Sequence, residues 1–370
     1  MFAMLIRDAF HDTDDAGIYL KYRTDGGIFN LRRLRAKTKV AQTLIRELLF
    51  ADDCAIMAHT LEHIQKLMDC FANAAKRFGL TISLKKTEVM LQPRPGSSPP
   101  KPDLFVNDTP LNVVDKFCYL GSVLSQNAEI DDDITRRISA ASAAFGRLES
   151  RLWKERGVRL STKVAVYKAV VITTLLYGCE SWTTYRRHVR SLDQFHMRCL
   201  RRIARIKWQD KTPSTEVLRR CEIPGIEAFV IKAQLRWVGH VHRMSDSRIP
   251  KATFYAELSS GTRPNCRPLL RFKDNFKANL LSTGIDPKTW EDLASDRSKW
   301  RKACSTGVQH FEDVRIAKAE EKRSRRKGST SQSVPAAESS DSTRSFICGD
   351  CGRQFTARIG LIGHSRIHRK

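Results

Sequence analysis

Leu48-Leu49-Phe50-Ala51-Asp52-Asp53-Cys54-Ala55-Ile56-Met57-Ala58 sets two apolar runs on either side of a pair of carboxylates. The runs read as strands and the Asp52-Asp53 pair as the turn between them, a hairpin emerging from a buried sheet. Two adjacent carboxylates on such a turn repel one another unless a cation or a basic partner compensates. Magnesium is the natural hard cation, because it takes carboxylate oxygen and leaves positions open for phosphates. Taken alone the signal is weak, since Asp-Asp turns are common on protein surfaces.

Working outward, residues 17–30 read as two short strands around an Asp25-Gly26-Gly27 turn, and a helix-like stretch runs from about Ala36 to Leu48. Downstream, Leu61, Ile64, Leu67, Met68, Phe71, Ala75 and Phe78 recur at helical spacing, with Thr60 placed as N-cap and Gly79 as the residue beyond the C-cap. Leu80 to Leu91 can return as a strand before Pro93–Pro102, a Pro/Ser-rich loop.

From about Asp131 to Arg243 the pattern turns helical and basic. Between Arg147 and Arg236 there are 20 Lys/Arg against 8 Asp/Glu. A helix from roughly Arg187 to Ile206 sets Val189, Leu192, Phe195, Cys199, Ile203 and Ile206 on one face. Its other face carries Arg187, Arg190, Arg198, Arg201, Arg202 and Arg205. A solvated charged face is the bland explanation; so one-sided a charge fits a phosphate backbone better. Lys322–Lys327 is a basic run that serves equally as a nuclear-import signal or as the end of a solvated helix. Residues 328–345 are polar and of low complexity, a flexible linker.

The chain ends in Cys348-x2-Cys351-x12-His364-x3-His368. Tetrahedral zinc needs four such ligands, and a tight CxxC turn with two His about one helical turn apart supplies them. Phe355 and Leu361 stand where so small a unit needs its core, and folding would depend on the metal. The helix positions that read bases in DNA-binding fingers are Ala357, Gly360 and Gly363 here, none able to contact a base edge. Arg353, Arg358 and Arg366 can hold phosphates without regard to sequence; docking a protein is the alternative.

Across 370 residues, 65 Lys/Arg against 40 Asp/Glu give a formal charge of +25, which points to a polyanionic partner, RNA or DNA. No leader is legible in Met1–His11, and the longest apolar stretch, Val164–Tyr177, is interrupted by Lys168 and too short for a bilayer. An intracellular, reducing setting follows, with eight of the ten cysteines scattered singly as buried thiols.

Phe50-Ala51-Asp52-Asp53, the helix after it, and Gly79-Leu80-Thr81-Ile82-Ser83-Leu84-Lys85-Lys86-Thr87-Glu88 closely resemble the palm of reverse transcriptases, best those of non-LTR (LINE-type) retrotransposons. Tyr119-Leu120-Gly121-Ser122 resembles the primer-grip hairpin. Tyr177–Trp182, Phe195–Arg201, Leu235–His240 and the terminal finger are similar to the C-terminal region of that family.

The resemblance implies an α+β chain: a partial palm over 1–92, a primer-grip-like hairpin over 103–126, a basic helical thumb over 127–245, and a basic helical region over 246–327. The linker over 328–345 and a ββα finger over 346–370 complete it. It also implies that Asp52 ligates a catalytic magnesium pair with Asp53 beside it, and that Lys85 or Lys86 lies near the phosphates of the incoming nucleotide. The chemistry would be two-metal nucleotidyl transfer. The family's first catalytic Asp and its nucleotide-selecting Gly-rich motif are not found here; Asp8, Asp12, Asp14, Asp15 and Asp25 lack that strand context. The expectation is a truncated reverse transcriptase, inactive alone, that binds zinc and nucleic acid. A polymerase completed by another chain, and a zinc-finger regulatory protein, are the alternatives.

Overall fold

A computed structural model describes the chain apart from residues 12, 14, 15, 37, 94–96, 98, 260–268, 332–345, 356, 357, 366, 367, 369 and 370. It folds as two units, Met1–Ala317 and Lys318–Lys370, of mixed helix and short strand, an α+β chain.

The first unit opens with α1 (Phe2–Ala9) and β1 (Ile18–Tyr22). β1 pairs antiparallel with β2 (Ala41–Ile45), Leu20 opposite Thr43. Two expectations fail here. Of the helix expected over 36–48, residues 38–48 are not helical, because Val40, Thr43 and Ile45 supply β-branched residues beside a strand with an open edge, while residue 37 lies outside the described residues. Asp25–Gly27 does turn, Gly26 and Gly27 having φ of 89° and 71°, but no strand returns. Instead Arg23 and Arg33 clamp Asp25, and Ile28 and Phe29 leave to pack elsewhere, Phe29 stacking on Phe276 at 5.8 Å.

β3 (Glu47–Phe50) and β4 (Asp53–Ile56) form the expected hairpin with its turn one residue earlier, at Ala51-Asp52, Phe50 opposite Asp53 and Ala51 left-handed at φ 53°. It does not emerge from a buried sheet: the ribbon has two strands only, and Leu48, Leu49 and Phe50 are exposed. α2 (Leu61–Arg77) begins where Thr60 Oγ1 accepts from the His63 N–H and ends before Gly79 at φ 69°. Leu67, Ala74 and Ala75 of α2 bury against Leu5, Ala9 and Phe10. Met68 and Ala72 bury against Leu104, Val106 and Leu111.

Of the strand expected over 80–91 only β5 (Glu88–Val89) forms. Then β6 (Phe105–Val106) pairs with β7 (Thr109–Pro110), and β8 (Asn112–Val113) with β5. β9 (Lys116–Tyr119) and β10 (Ser122–Ser125) make a tight hairpin through Leu120 (φ 47°) and Gly121 (φ 81°).

From Asp131 to His242 the chain is helical. The helices are α3 (Asp131–Arg147), α4 (Leu160–Val166) running through a wide turn at 167–172 into α5 (Thr173–Leu175), α6 (Arg186–Ile203), α7 (Ser214–Cys221) and α8 (Ile226–His242). One apolar core joins them around Trp153, Tyr167, Leu175, Leu192 and Leu200, each side chain essentially solvent-free and contributing about 1.5–3 kcal/mol. The inner face of α8 faces a second core, shared with α9 (Ile249–Tyr255), α10 (Phe272–Ser282), α11 (Trp290–Ser295) and the start of α12 (Arg297–Ser331). After α9, β11 (Glu257–Leu258) adds a third strand to β1.

α12 runs to Ser331, so residues 328–331 of the expected linker are helical and the rest lie outside the described residues. In the second unit β12 (Phe346–Ile347) and β13 (Gln354–Phe355) form a hairpin followed by α13 (Arg358–Ser365).

Candidate functional site

The β12–β13 hairpin turns through Cys348 and Cys351. Cys348 N–H donates to the Arg353 carbonyl, and Gly352 N–H to the Cys348 carbonyl. Gly352, at φ 70°, supplies the left-handed residue that lets both thiols point inward. α13 sets His364 against them, its ring 5.0 Å from Phe355, and Gly360 brings the helix close over that same ring. Cys351 Sγ lies 3.0 Å from His364 Nε2, and the two Nε2 atoms of His364 and His368 are 3.1 Å apart.

All four ligand atoms of Cys348, Cys351, His364 and His368 lie within 4.8 Å of one another. Zinc at about 2.3 Å from sulfur and about 2.0 Å from nitrogen spaces its ligand atoms about 3.3–3.8 Å apart, so the cluster fits one tetrahedral ion. The Asp350 N–H, and then that of Cys351, lowers the pKa of the Cys348 thiol and favours the thiolate a metal requires. Among the described residues this is the one group of three or more potential ligands gathered for a metal.

The Asp-Asp turn is not such a group. Asp52 and Asp53 are both exposed at the tip of β3–β4, and no third carboxylate, His or Cys joins them among the described residues. What the hairpin does meet is the β9–β10 turn. Tyr119 Oη donates to the Leu48 carbonyl at 3.0 Å, and the Tyr119 pKa is raised by burial first and then by the negative charges of Cys54 and Asp53. Lys85 and Lys86 are exposed on a separate turn at 84–86. Of the other acidic residues named, Asp8 pairs with Arg77 and Asp25 with Arg23 and Arg33, while Asp12, Asp14 and Asp15 lie outside the described residues.

α6 buries Leu192, Phe195, Cys199 and Ile203 as its spacing predicts; Val189 is half-buried, and the helix ends at Ile203, so Arg205 and Ile206 lie in the loop beyond it. Of the arginines read onto its other face, four already hold the protein together, Arg205 from the loop after α6. Arg187 makes a two-bond pair with Asp131 (2.9 and 2.7 Å), Arg202 meets Glu149, Arg201 reaches the Thr212 carbonyl, and Arg205 the Lys154 carbonyl. Asp131 is thereby held down at about 2, first by its bonds from Arg187. Arg190 and Arg198 are exposed. In the finger, Arg353 is exposed; the Arg358 side chain and Arg366 lie outside what is described.

The sequence stretches singled out downstream turn out to be packing and hydrogen-bond devices. Gly178 is left-handed at φ 78°, and the carbonyls of Cys179 and Trp182 both accept from Gln234 Nε2 on α8. His196 is fully buried: its Nε2–H donates to the Pro224 carbonyl, which leaves Nδ1 to accept from Tyr167 Oη at 2.9 Å. Burial pushes its pKa down to about 4, so it is neutral. Gly239 leaves the space that the Trp300 indole fills, and that indole donates to the Leu235 carbonyl.

Sequence reasoning missed Asp133. Buried at 2% exposure, it accepts from Val123 N–H and Trp182 Nε1–H and so ties the β9–β10 hairpin to the helices. Between that hairpin and the helices lies a cavity of about 740 Å³ with a mostly apolar lining, including Tyr119, Leu124, Leu176, Tyr177 and Phe229. Of the eight scattered thiols, Cys179, Cys199, Cys221 and Cys304 are buried, Cys54 and Cys70 half-buried, Cys118 exposed on a strand of a two-stranded ribbon, and Cys266 lies outside the described residues. No described helix is long and apolar enough to cross a membrane.

No protein-family model matches the chain, and no solved structure does. An uncharacterised transposon-derived protein of Caenorhabditis elegans is 25% identical over 266 residues, 69% of this chain and 94% of that protein. The RNA-directed DNA polymerase from mobile element jockey of Drosophila melanogaster is 23% identical over 185 residues, 48% of this chain and 20% of that enzyme. Both matches support a transposon-derived origin.

Proposed function

We propose that this chain is a zinc-holding, nucleic-acid-binding part of a LINE-type retrotransposon reverse transcriptase, and that it does not by itself supply the polymerase's metal-ligating set. The observation that carries the reading is the convergence of Cys348, Cys351, His364 and His368 on one point. Zinc there would hold the small second unit folded, since its few core residues cannot do so alone. The charge of +25 supports a nucleic-acid partner bound with little sequence preference, as do the exposed Arg190, Arg198 and Arg353. The exposed basic run at 322–326 supports a nuclear location.

Catalysis alone is disfavoured because a two-metal site needs carboxylates that bridge both ions, and Asp52 and Asp53 stand without a third ligand among the described residues. One observation favours the second reading, a polymerase completed by another chain: the Asp-Asp hairpin and the Tyr119 hairpin touch through Tyr119 and Leu48. Primer extension on an RNA template with magnesium separates the two. No incorporation by folded, zinc-loaded protein is the expected result; incorporation that disappears in Asp52→Ala makes the chain a polymerase.

A further inference from the structure

Trp208 is 83% exposed, the most exposed large hydrophobic side chain among the described residues. Trp153, Trp182, Trp290 and Trp300 are each 3% exposed or less, and Trp237 is half-buried. The loop that lifts Trp208 into solvent is firmly built. Arg205 and Lys211 are left-handed at φ 56° and 46° on either side of it. The Lys207 N–H donates to Asp210 Oδ2 at 2.7 Å, the Lys211 N–H to the Trp208 carbonyl, and Arg205 Nη2 to the Lys154 carbonyl at 2.7 Å.

The surroundings are basic. Lys207 and Lys211 flank Trp208 in the chain and are exposed, and Arg205 joins this loop to the neighbouring turn through the Lys154 carbonyl. The nearby carboxylates are hydrogen-bonded or paired: Asp210 accepts from the Lys207 N–H, Glu155 from the Arg156 and Gly157 N–H groups, and Glu149 pairs with Arg202 and Lys154. An exposed indole in a loop that also carries the exposed Lys207 and Lys211 has the chemistry of a stacking platform: the ring takes a base face while the cations take phosphates of the same strand. Duplex bases have no free face to offer, so the feature selects unpaired strands.

We propose that Trp208 with Lys207 and Lys211 is a base-stacking site for single-stranded nucleic acid. It deepens the nucleic-acid reading above and rests on it. The test uses the full, zinc-loaded chain, a labelled oligouridylate, and the duplex formed by annealing that strand to oligoadenylate. Trp208→Ala should weaken single-strand binding about ten-fold, Trp208→Phe should keep most of it, and duplex affinity should not move. Wild-type fluorescence should also be quenched by the single strand, a signal that Trp208→Phe loses. An unchanged melting temperature checks that the variants fold. Equal loss on both probes, or no loss on the single strand, overturns the stacking site while leaving nucleic-acid binding intact. Failure of the wild-type chain to bind either probe overturns both.

Discussion

Replacing Asp133 by Ala should unfasten the β9–β10 hairpin from the helical body. The carboxylate is 2% exposed and accepts two short bonds, from the Val123 N–H at 3.0 Å and from the Trp182 indole N–H at 2.9 Å. Arg137 stands 3.7 Å away, its guanidinium 4.4 Å over the Tyr177 ring. Truncation would leave two donors without their acceptor and a largely buried cation without its counter-charge. Hydrogen bonds to a charged group are worth about 1.5–3 kcal/mol each, so Asp133→Ala should cost about 3–5 kcal/mol. Asp133→Asn keeps the shape but turns an amide N–H2 toward a donor, and should recover only part of the loss. Urea unfolding followed by tryptophan fluorescence reads the change, since Trp182 itself reports on the site. A loss below about 1 kcal/mol for Asp133→Ala would refute the assignment of this carboxylate as the joint.

Gly239→Ala should destabilise by about 1–3 kcal/mol, because its Cβ would meet the Trp300 indole inside a filled core. Gly146→Ala, on α3 with nothing near its Cβ, should instead stabilise by about 0.5–1 kcal/mol; chemical denaturation of the pair separates packing from backbone entropy. His196 titrates near 4 when folded against an ordinary 6.5, so its neutral form is the one folding favours. Its contribution is fully present above pH about 6.5 and is lost as pH falls toward about 4, and His196→Gln should flatten that limb of melting temperature against pH. Chelating the metal, or Cys351→Ser, should unfold the region from Phe346 onward and leave the melting of Met1–Ala317 unmoved, read by circular dichroism and metal content.

Much of this was open to reading before any coordinates. The finger ligands follow from fixed spacing, and α2 and α6 follow from apolar period with Thr60 and Gly79 as punctuation. The Asp52-Asp53 hairpin formed where its apolar flanks placed it. What could not be read was whatever depends on distant partners. Residues 41–45 became a strand because β1 lies beside them, and β1 in turn gained β11 from more than two hundred residues away. The arginines read onto α6 looked free, yet Asp131, Glu149, Lys154 and Thr212, all on other elements, hold four of them, and one, Arg205, lies past the helix end. Asp133 hid in a run of three aspartates at the start of α3, where the helix dipole alone accounts for acidic residues. Trp208 hid for the opposite reason: an aromatic residue reads as core unless the loop that exposes it is known.

The measurement that bears most directly on the central claim is the affinity of the zinc-loaded chain for single-stranded RNA and for duplex DNA as salt is raised. Counterion release requires log affinity to fall linearly with log salt, with a slope of several for a surface this basic and little dependence on sequence. That result supports a chain working as a backbone-binding module. Affinity indifferent to salt, one strongly preferred sequence, or no binding at low salt would contradict it.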